Sequence, residues 1–418
     1  MFFLEKRWFP SIVTFLSLFV GPGVLLKLHY PIGEAGAGAL FRFHPVSYFL
    51  IILTGYNALK YSYKLGELKK FQNFSIAVFV VLIYSLTFGA SKGNLFLFNV
   101  LVCPVLIIYN FQFINYKQHI NVEVWTKIMS MFRFFFYAEC LLAIAEHVVH
   151  FKLFPINETA ILFRSNAFQG HPLNNSLFLI FFSWFFYSYE NSFLKRMVII
   201  GLTVGALASF GVRSGLLAYC MGITLLSLKF MERGKINFSF QNIAMLVILF
   251  VSVFYIVLYT PLGARIVSAG SFNDNSSGVR FNVYSMFLSI SLEDIIWGTK
   301  QELIDYLMYI RGIEIIENFW IIWIFKYGVI FAAYLGISFI LFTFQIARLA
   351  FPLKKYDRLV VVGCFLLAAS SNNSLAVNTT VISAITILCL TQYNLLRYKA
   401  NNKPKSNVAA RVPAPMPF

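Results

Sequence analysis

Acidic residues are scarce in this chain. There are 17 Asp and Glu among 418 residues, against 34 Lys and Arg, and charged residues of both signs make up only 12%. A soluble domain carries roughly a quarter, so a chain this poor in charge lacks the residues to cover a large water-facing surface. Cysteine is rare too. The five, Cys103, Cys140, Cys220, Cys364 and Cys389, all fall in apolar stretches; no pair is placed for a disulfide and none has metal-ligand spacing, which leaves them as small core residues. No Gly-rich phosphate loop, zinc motif or Asp-x-Asp nucleotide–metal motif occurs, which argues against a soluble nucleotide donor. Internal repeats and the paired Gly/Pro-broken half-helices of many transporters are also missing.

Apolar residues are what the chain has: 59% are hydrophobic and 18% aromatic. This composition predicts an all-α polytopic membrane protein. Twelve spans are expected, at 10–26, 44–60, 74–90, 95–115, 128–149, 174–190, 196–210, 213–230, 241–262, 316–346, 358–371 and 377–396. The first apolar stretch, Ser11 to Leu26, follows Glu5-Lys6-Arg7 without a clear small-residue cleavage site, and is read as a retained helix. About two thirds of the 34 Lys and Arg residues fall on the inner segments, including Lys64, Lys69 and Lys70, then Lys195 and Arg196, then Lys354, Lys355 and Arg358. That bias places both termini inside. The net charge of +17 therefore reports topology rather than a nucleic-acid footprint.

The chain divides into N-terminal spans (1–150), spans carrying the first outer loop and its arginines (151–262), a long outer loop (263–316), C-terminal spans (317–398) and a tail (399–418) expected to be disordered. The long loop has helical periodicity. One amphipathic stretch from Arg280 is expected to present Phe281, Tyr284, Phe287 and Leu288 on one face, along the outer membrane interface. A second helix is expected at Glu302 to Ile310 with Leu303, Leu307 and Ile310 aligned, and Trp297-Gly298-Thr299 is expected to turn between them. Such a loop would dock on the bundle as a lid.

Three arginines, Arg164, Arg213 and Arg280, stand at outer ends of different spans. Arginine is costly near lipid and keeps its charge, so it usually has a partner or an anionic ligand there. Arg164 sits in RSNAFQGHPLNNS, where Pro172 is a helix-start residue and the N–H groups beyond it can help hold an anion, with His171 and Asn174 beside them. Arg213 lies in SFGVRSGLLAY, where Gly and Ser permit close approach. Each has a plainer reading: a loop Arg meeting headgroups, a snorkelling Arg, a surface residue of the lid. Together they can offer the forked donors that a diphosphate needs. Glu317-Asn318 opens the tenth span, where desolvation would push a carboxyl toward general-base range while the helix N-terminus favours the anion; the alternative is a water-exposed helix-start acid. Glu146, His147 and His150 are too few for a metal site and read as a satisfied polar cluster; Arg133 and Glu139 pair with neighbours or face a cavity. Asp274 reads as a turn residue.

Four segments in order, RSNAFQGHPLNNSLFL, FGVRSGLL, VRFNVYSMFLSISLEDIIWG and ENFWIIWIFKYGVIFAAYLGISFI, resemble the bacterial O-antigen ligase and polymerase superfamily of membrane glycosyltransferases. They cover about residues 160–345. The resemblance implies a helical membrane bundle with a partly helical periplasmic loop and a periplasmic active site. Arg164, Arg213 and Arg280 would bind the diphosphate of an undecaprenyl-diphosphate-linked glycan, Glu317 would be the acceptor-activating base, and His171, Asn174 and Asn318 would contact substrate. No metal or cofactor is implied. Partners would be the lipid-linked donor and acceptor, membrane lipids and a chain-length regulator, without nucleic acid. Two departures stand out: ligases tend to carry His-Asn where this chain has Glu317-Asn318, and the third segment has only Gly298 of the family's Gly-x-Gly. The expectation is a polymerase of lipid-linked repeat units. The ligase that caps lipid A-core is the nearest alternative. A lipid-linked oligosaccharide flippase is disfavoured, because spans two to four are nearly uncharged and the cations gather outside.

Overall fold

The computed structural model describes residues 8–30, 43–61, 66–87, 97–115, 122–154, 163–228, 240–260, 282–352, 354–377 and 379–401. It is all α-helical, with no strand among the described residues. Helices fall on every expected span: α1 (Phe9–Phe19), the short α2 (Pro22–Lys27), α3 (Pro45–Lys60), α4 (Gln72–Thr87), α5 (Cys103–Asn115), α6 (Val122–Val149), α7 (Pro172–Tyr189), α8 (Phe193–Phe210), α9 (Arg213–Leu228), α10 (Phe240–Tyr259), then α11 (Leu292–Trp297) and α12 (Gln301–Ile310) in the long loop, and α13 (Phe319–Ala350), α14 (Lys355–Ser370) and α15 (Val381–Asn401). Leu68–Thr87, Val122–Val149, Phe193–Phe210 and Phe319–Ala350 are long and apolar enough to cross a membrane, which suggests a multi-pass membrane protein.

Helix α7 is the axis of the bundle. Its sequence is apolar on every side, and it is buried on every side, by α6, α8, α9, α14 and α15. At its middle, Ser183 bonds Tyr219 at 2.9 Å and accepts from Thr203 at 3.0 Å. Gly222 of α9 lets the Trp184 ring lie flat on the helix, since a Cβ there would come within 2.5 Å of that ring. Four of the five cysteines are buried and Cys220 is half-buried, all as free thiols.

Two expected spans are not continuous helices. The first breaks at Val20–Gly21, where a Cβ on Gly21 would lie 2.6 Å from the Gln169 backbone. The tenth folds back on itself. Gly328 has φ 74°, outside the helical region, and the arms on either side run past each other. The Phe319 ring centroid lies 6.5 Å from that of Phe339, and Trp323 lies 5.9 Å from Phe339. A straight helix would separate positions 319 and 339 by about 30 Å, at 1.5 Å per residue. The 329–350 arm packs along α4, with Phe342 stacked on Phe74 and Phe331 on Tyr84, both at 4.0 Å. The 319–327 arm is a short re-entrant helix whose start lies level with the middle of its partner.

The long loop packs one apolar face against the 319–327 arm. Val283, Met286 and Ile290 point inward and join Ile304, Leu307, Ile313 and Ile316 against Ile321 and Phe325 of the 319–327 arm. Tyr284 and Leu288, expected with Phe287 on a face lying along the membrane interface, are exposed, while Phe287 is partly buried against Phe325 at 4.7 Å. The 282–290 stretch tightens to a 3-10 turn at Phe287–Ser289, which rotates the pattern away from a 3.6-residue period. In α12 the buried residues are Ile304 and Leu307, and Ile310 faces out. The Trp297-Gly298-Thr299 turn is where expected, with Gly298 at φ 105°. Asp274, Arg280 and Phe281 lie outside the described residues, as does the tail beyond Asn401.

Candidate functional site

The candidate site begins with a loop pinned onto α6. Glu139 and Glu146 stand seven residues apart, two turns, and so share a helix face. Both are buried. One Glu146 carboxylate oxygen accepts the Leu153 N–H at 2.8 Å, and the other accepts Asn166 N–H at 2.8 Å and Ala167 N–H at 3.0 Å. Two turns along the helix, Glu139 accepts Phe168 N–H at 3.2 Å. Ser165 donates its hydroxyl to the Ala143 carbonyl at 2.6 Å and its N–H to the Ser209 carbonyl. Ala167 takes a left-handed φ of 44°, which turns consecutive N–H groups toward one carboxylate. The expected polar cluster around Glu146 is therefore a clamp on the loop, and His147 adds a 3.3 Å contact to the Ser209 carbonyl.

This clamp sets Arg164. Its Nε donates to the Phe210 carbonyl at 3.0 Å. Phe210 ends α8, Gly211 caps it at φ 63°, and Arg213 opens α9 three residues after Phe210, exposed. Arg164 is thus tied to the same helix–helix turn from which Arg213 projects. Helix α9 then runs antiparallel to α14, and Tyr356 donates to the Leu225 carbonyl at 3.0 Å near the far end. Counting roughly twelve residues, or about 18 Å, back along both helices puts Arg213 level with Ala368. The end of α14 in turn holds the start of α13: Phe319 N–H donates to the Asn372 carbonyl at 3.2 Å, and Trp320 Nε1 to the Ser370 hydroxyl at 2.7 Å. Arg164, Arg213 and Glu317 consequently share one end of the bundle, with the top of α14 between Arg213 and Glu317.

Comparison with protein families found no matching family model, and comparison with curated proteins found no match.

Glu317 itself is half-buried, just outside the helix. Asn318 is the N-cap of α13; its side-chain oxygen accepts from Trp320 N–H at 2.9 Å and Ile321 N–H at 3.3 Å, so that oxygen is committed to holding the helix start. His171 occupies the N-cap position of α7 in extended conformation, followed by Pro172 as the first helical residue. Asn174 is buried, and its side-chain oxygen has no hydrogen-bond partner. Neighbouring Asn175 donates to the Asn166 carbonyl, and Gln169 to the Leu18 carbonyl at 2.7 Å, tying the loop to α7 and α1. Arg280 lies outside the described residues. Arg133 is exposed, with Glu190 as an electrostatic neighbour of the same Tyr137. Among the described residues, no three His, Cys, Asp or Glu side chains gather as a metal site.

The sequence gives Glu146 a polar cluster and Glu139 a neighbour or a cavity, but not that both fasten the Asn166–Phe168 backbone. The signal is two acids seven residues apart on one face of an apolar span.

Proposed function

We propose that this chain is an inner-membrane glycosyltransferase that polymerises undecaprenyl-diphosphate-linked repeat units on the periplasmic face, toward O-antigen, capsule or exopolysaccharide. In this reading the bundle crosses the membrane twelve times with both termini cytoplasmic. The observation that carries it is the convergence of Arg164 and Arg213 on one corner, at the same end of the bundle as Glu317. Two guanidinium groups on a rigid corner are suited to an oxygen-rich dianion, since each fork donates in a fixed plane. Arg280 is the third proposed donor.

The chemistry follows from those positions. The growing glycan on one lipid diphosphate is the donor, and the terminal sugar of a newly arrived unit is the acceptor. Glu317 takes the proton of the acceptor hydroxyl, and that oxygen forms a bond to the donor's anomeric carbon. The bond from that carbon to the diphosphate oxygen breaks, and the diphosphate leaves with the electron pair. The arginines stabilise the charge gathering on it. His171, Asn174 and the Asn318 amide are the proposed neutral contacts to the sugars.

The test is direct. Purified protein incubated with lipid-linked repeat units is expected to yield dimers and longer products. Arg164→Ala, Arg213→Ala and Arg280→Ala should each reduce polymer at least tenfold at normal protein levels, and Arg213→Lys should not restore it, because an ammonium lacks the two-point fork. Full polymer from all three alanine variants would refute the site. Transfer of preformed chains to a lipid A-core acceptor, without chain growth, would assign the ligase instead.

A further inference from the structure

The segment from 282 to 316 buries one apolar face against the 319–327 arm and leaves a second one uncovered. Tyr284, Leu288, Leu292, Trp297, Tyr309 and Ile310 are each more than half exposed, with Leu288 at 89% and Tyr309 at 86%. Isolated exposed apolar residues are ordinary, but six large ones within thirty residues make a patch that water does not tolerate in a monomeric soluble surface. The position of this patch says what covers it. Tyr84, near the end of the apolar helix Leu68–Thr87, donates to the Trp297 carbonyl and stacks on Phe331, and the Trp297 ring lies 6.5 Å from Phe331. Below Tyr84, the outward face of α4 is Ile76, Phe79 and Ile83; below Phe331, that of α13 is Ile337 and Leu341. At Trp297 the exposed residues therefore adjoin surfaces that an apolar spanning helix turns to lipid.

The backbone at the crossing fixes that height. Thr299 N–H donates to the Phe325 carbonyl at 2.6 Å, and Gly298 and Gly328 face each other so closely that a Cβ on Gly298 would lie 2.9 Å from the Lys326 carbonyl. The segment cannot ride up away from α4 and α13 without breaking this contact. Its exposed aromatics are Trp and Tyr, the residues that favour the headgroup boundary, and the acids Glu302 and Asp305 lie on the same side of α12 as Tyr306 and Tyr309.

From this continuity we infer that residues 282–310 are an in-plane membrane element, seated at the headgroup–acyl boundary of the outer leaflet with Leu288, Leu292 and Ile310 among the acyl chains. The inference does not depend on the glycosyltransferase reading.

Spin labels on single cysteines test it in the full chain reconstituted in nanodiscs, with Cys220→Ala removing the one native thiol that is not fully buried. Labels at Leu288→Cys and Ile310→Cys are expected to collide with dissolved oxygen several-fold more than with a water-soluble nickel chelate, as a Phe79→Cys control does. Dominant nickel collisions would show a water-facing surface and overturn the inference. Low collisions with both reagents would show a protein cover, a second copy or another chain, and would overturn it equally. Brominated acyl chains provide a check without labels: quenching of tryptophan fluorescence should fall when Trp297→Phe is introduced, and unchanged quenching would place Trp297 away from lipid.

Discussion

The Arg164 loop and the 282–316 segment both connect spanning helices, yet they are held by opposite means. The first is fastened by buried polar bonds: two carboxylates of α6 receive four backbone N–H groups, and the side chains of Ser165, Gln169 and Asn175 reach backbone carbonyls. The second is held mainly by apolar packing and by one place where two backbones touch at glycine, with hydrogen bonds from Tyr84 and Arg311 nearer the surface. Polar bonds in a low-dielectric interior are directional and costly to leave unmade, so they specify the position of a single side chain. Apolar contacts specify a face but tolerate sliding. A cation that must meet a ligand belongs on the first kind of support, and an element lying against lipid can rest on the second.

Substitution can break this contrast. The largest effect is expected at the glycine crossing. Gly328→Val adds a side chain at a left-handed φ and drives it into the Ile296 carbonyl, and should cost more than about 4 kcal/mol, read as loss of folded protein in detergent thermal melts. Next comes Glu146→Ala, which leaves two buried N–H groups and the half-buried one of Leu153 without an acceptor and should cost about 3 kcal/mol by the same melts. Glu146→Gln should recover only part of this, because its amide NH2 must face one of the donors. Gly222→Ala should cost about 1–3 kcal/mol by crowding the Trp184 ring. Arg311 donates to the Ser285 and Ser289 hydroxyls, and Arg311→Ala should cost only about 1 kcal/mol, because those hydroxyls lie near the surface and water can replace the donor. The smallest effect belongs to Glu139→Gln, at under about 1 kcal/mol, since the amide oxygen can still accept the Phe168 N–H. If Glu139→Gln proved as damaging as Glu146→Ala, the deeper carboxyl would be more than a loop anchor.

Much of the fold was readable from local pattern. The helices fall on the expected apolar stretches because a chain inside lipid must satisfy its backbone within each segment. Pro172 begins α7 and Asn318 caps α13, as their chemistry suggests. The failures share a cause. The tenth span reads as one long apolar helix because lipid-facing and protein-facing surfaces are equally apolar, so hydropathy does not register that the chain turns back at Gly328. Phe287 leaves the face expected for Tyr284 and Leu288 because a 3-10 turn at Phe287–Ser289 changes the period on which that face is judged. Arg164 and Arg213 were recognised as cations at outer ends, but the Phe210 carbonyl that ties the first beside the second is a backbone group with no sequence signature.

By itself, the sequence determined that this chain is helical, apolar and asymmetric in charge, because those properties follow from residue composition and from 3.6-residue periodicity. Only the tertiary structure decided which cations are neighbours, which acids hold a loop, and that one apparent span is a folded hairpin. Those facts depend on contacts between residues far apart in the chain, where a carbonyl, a carboxylate or the missing side chain of a glycine acts at close range.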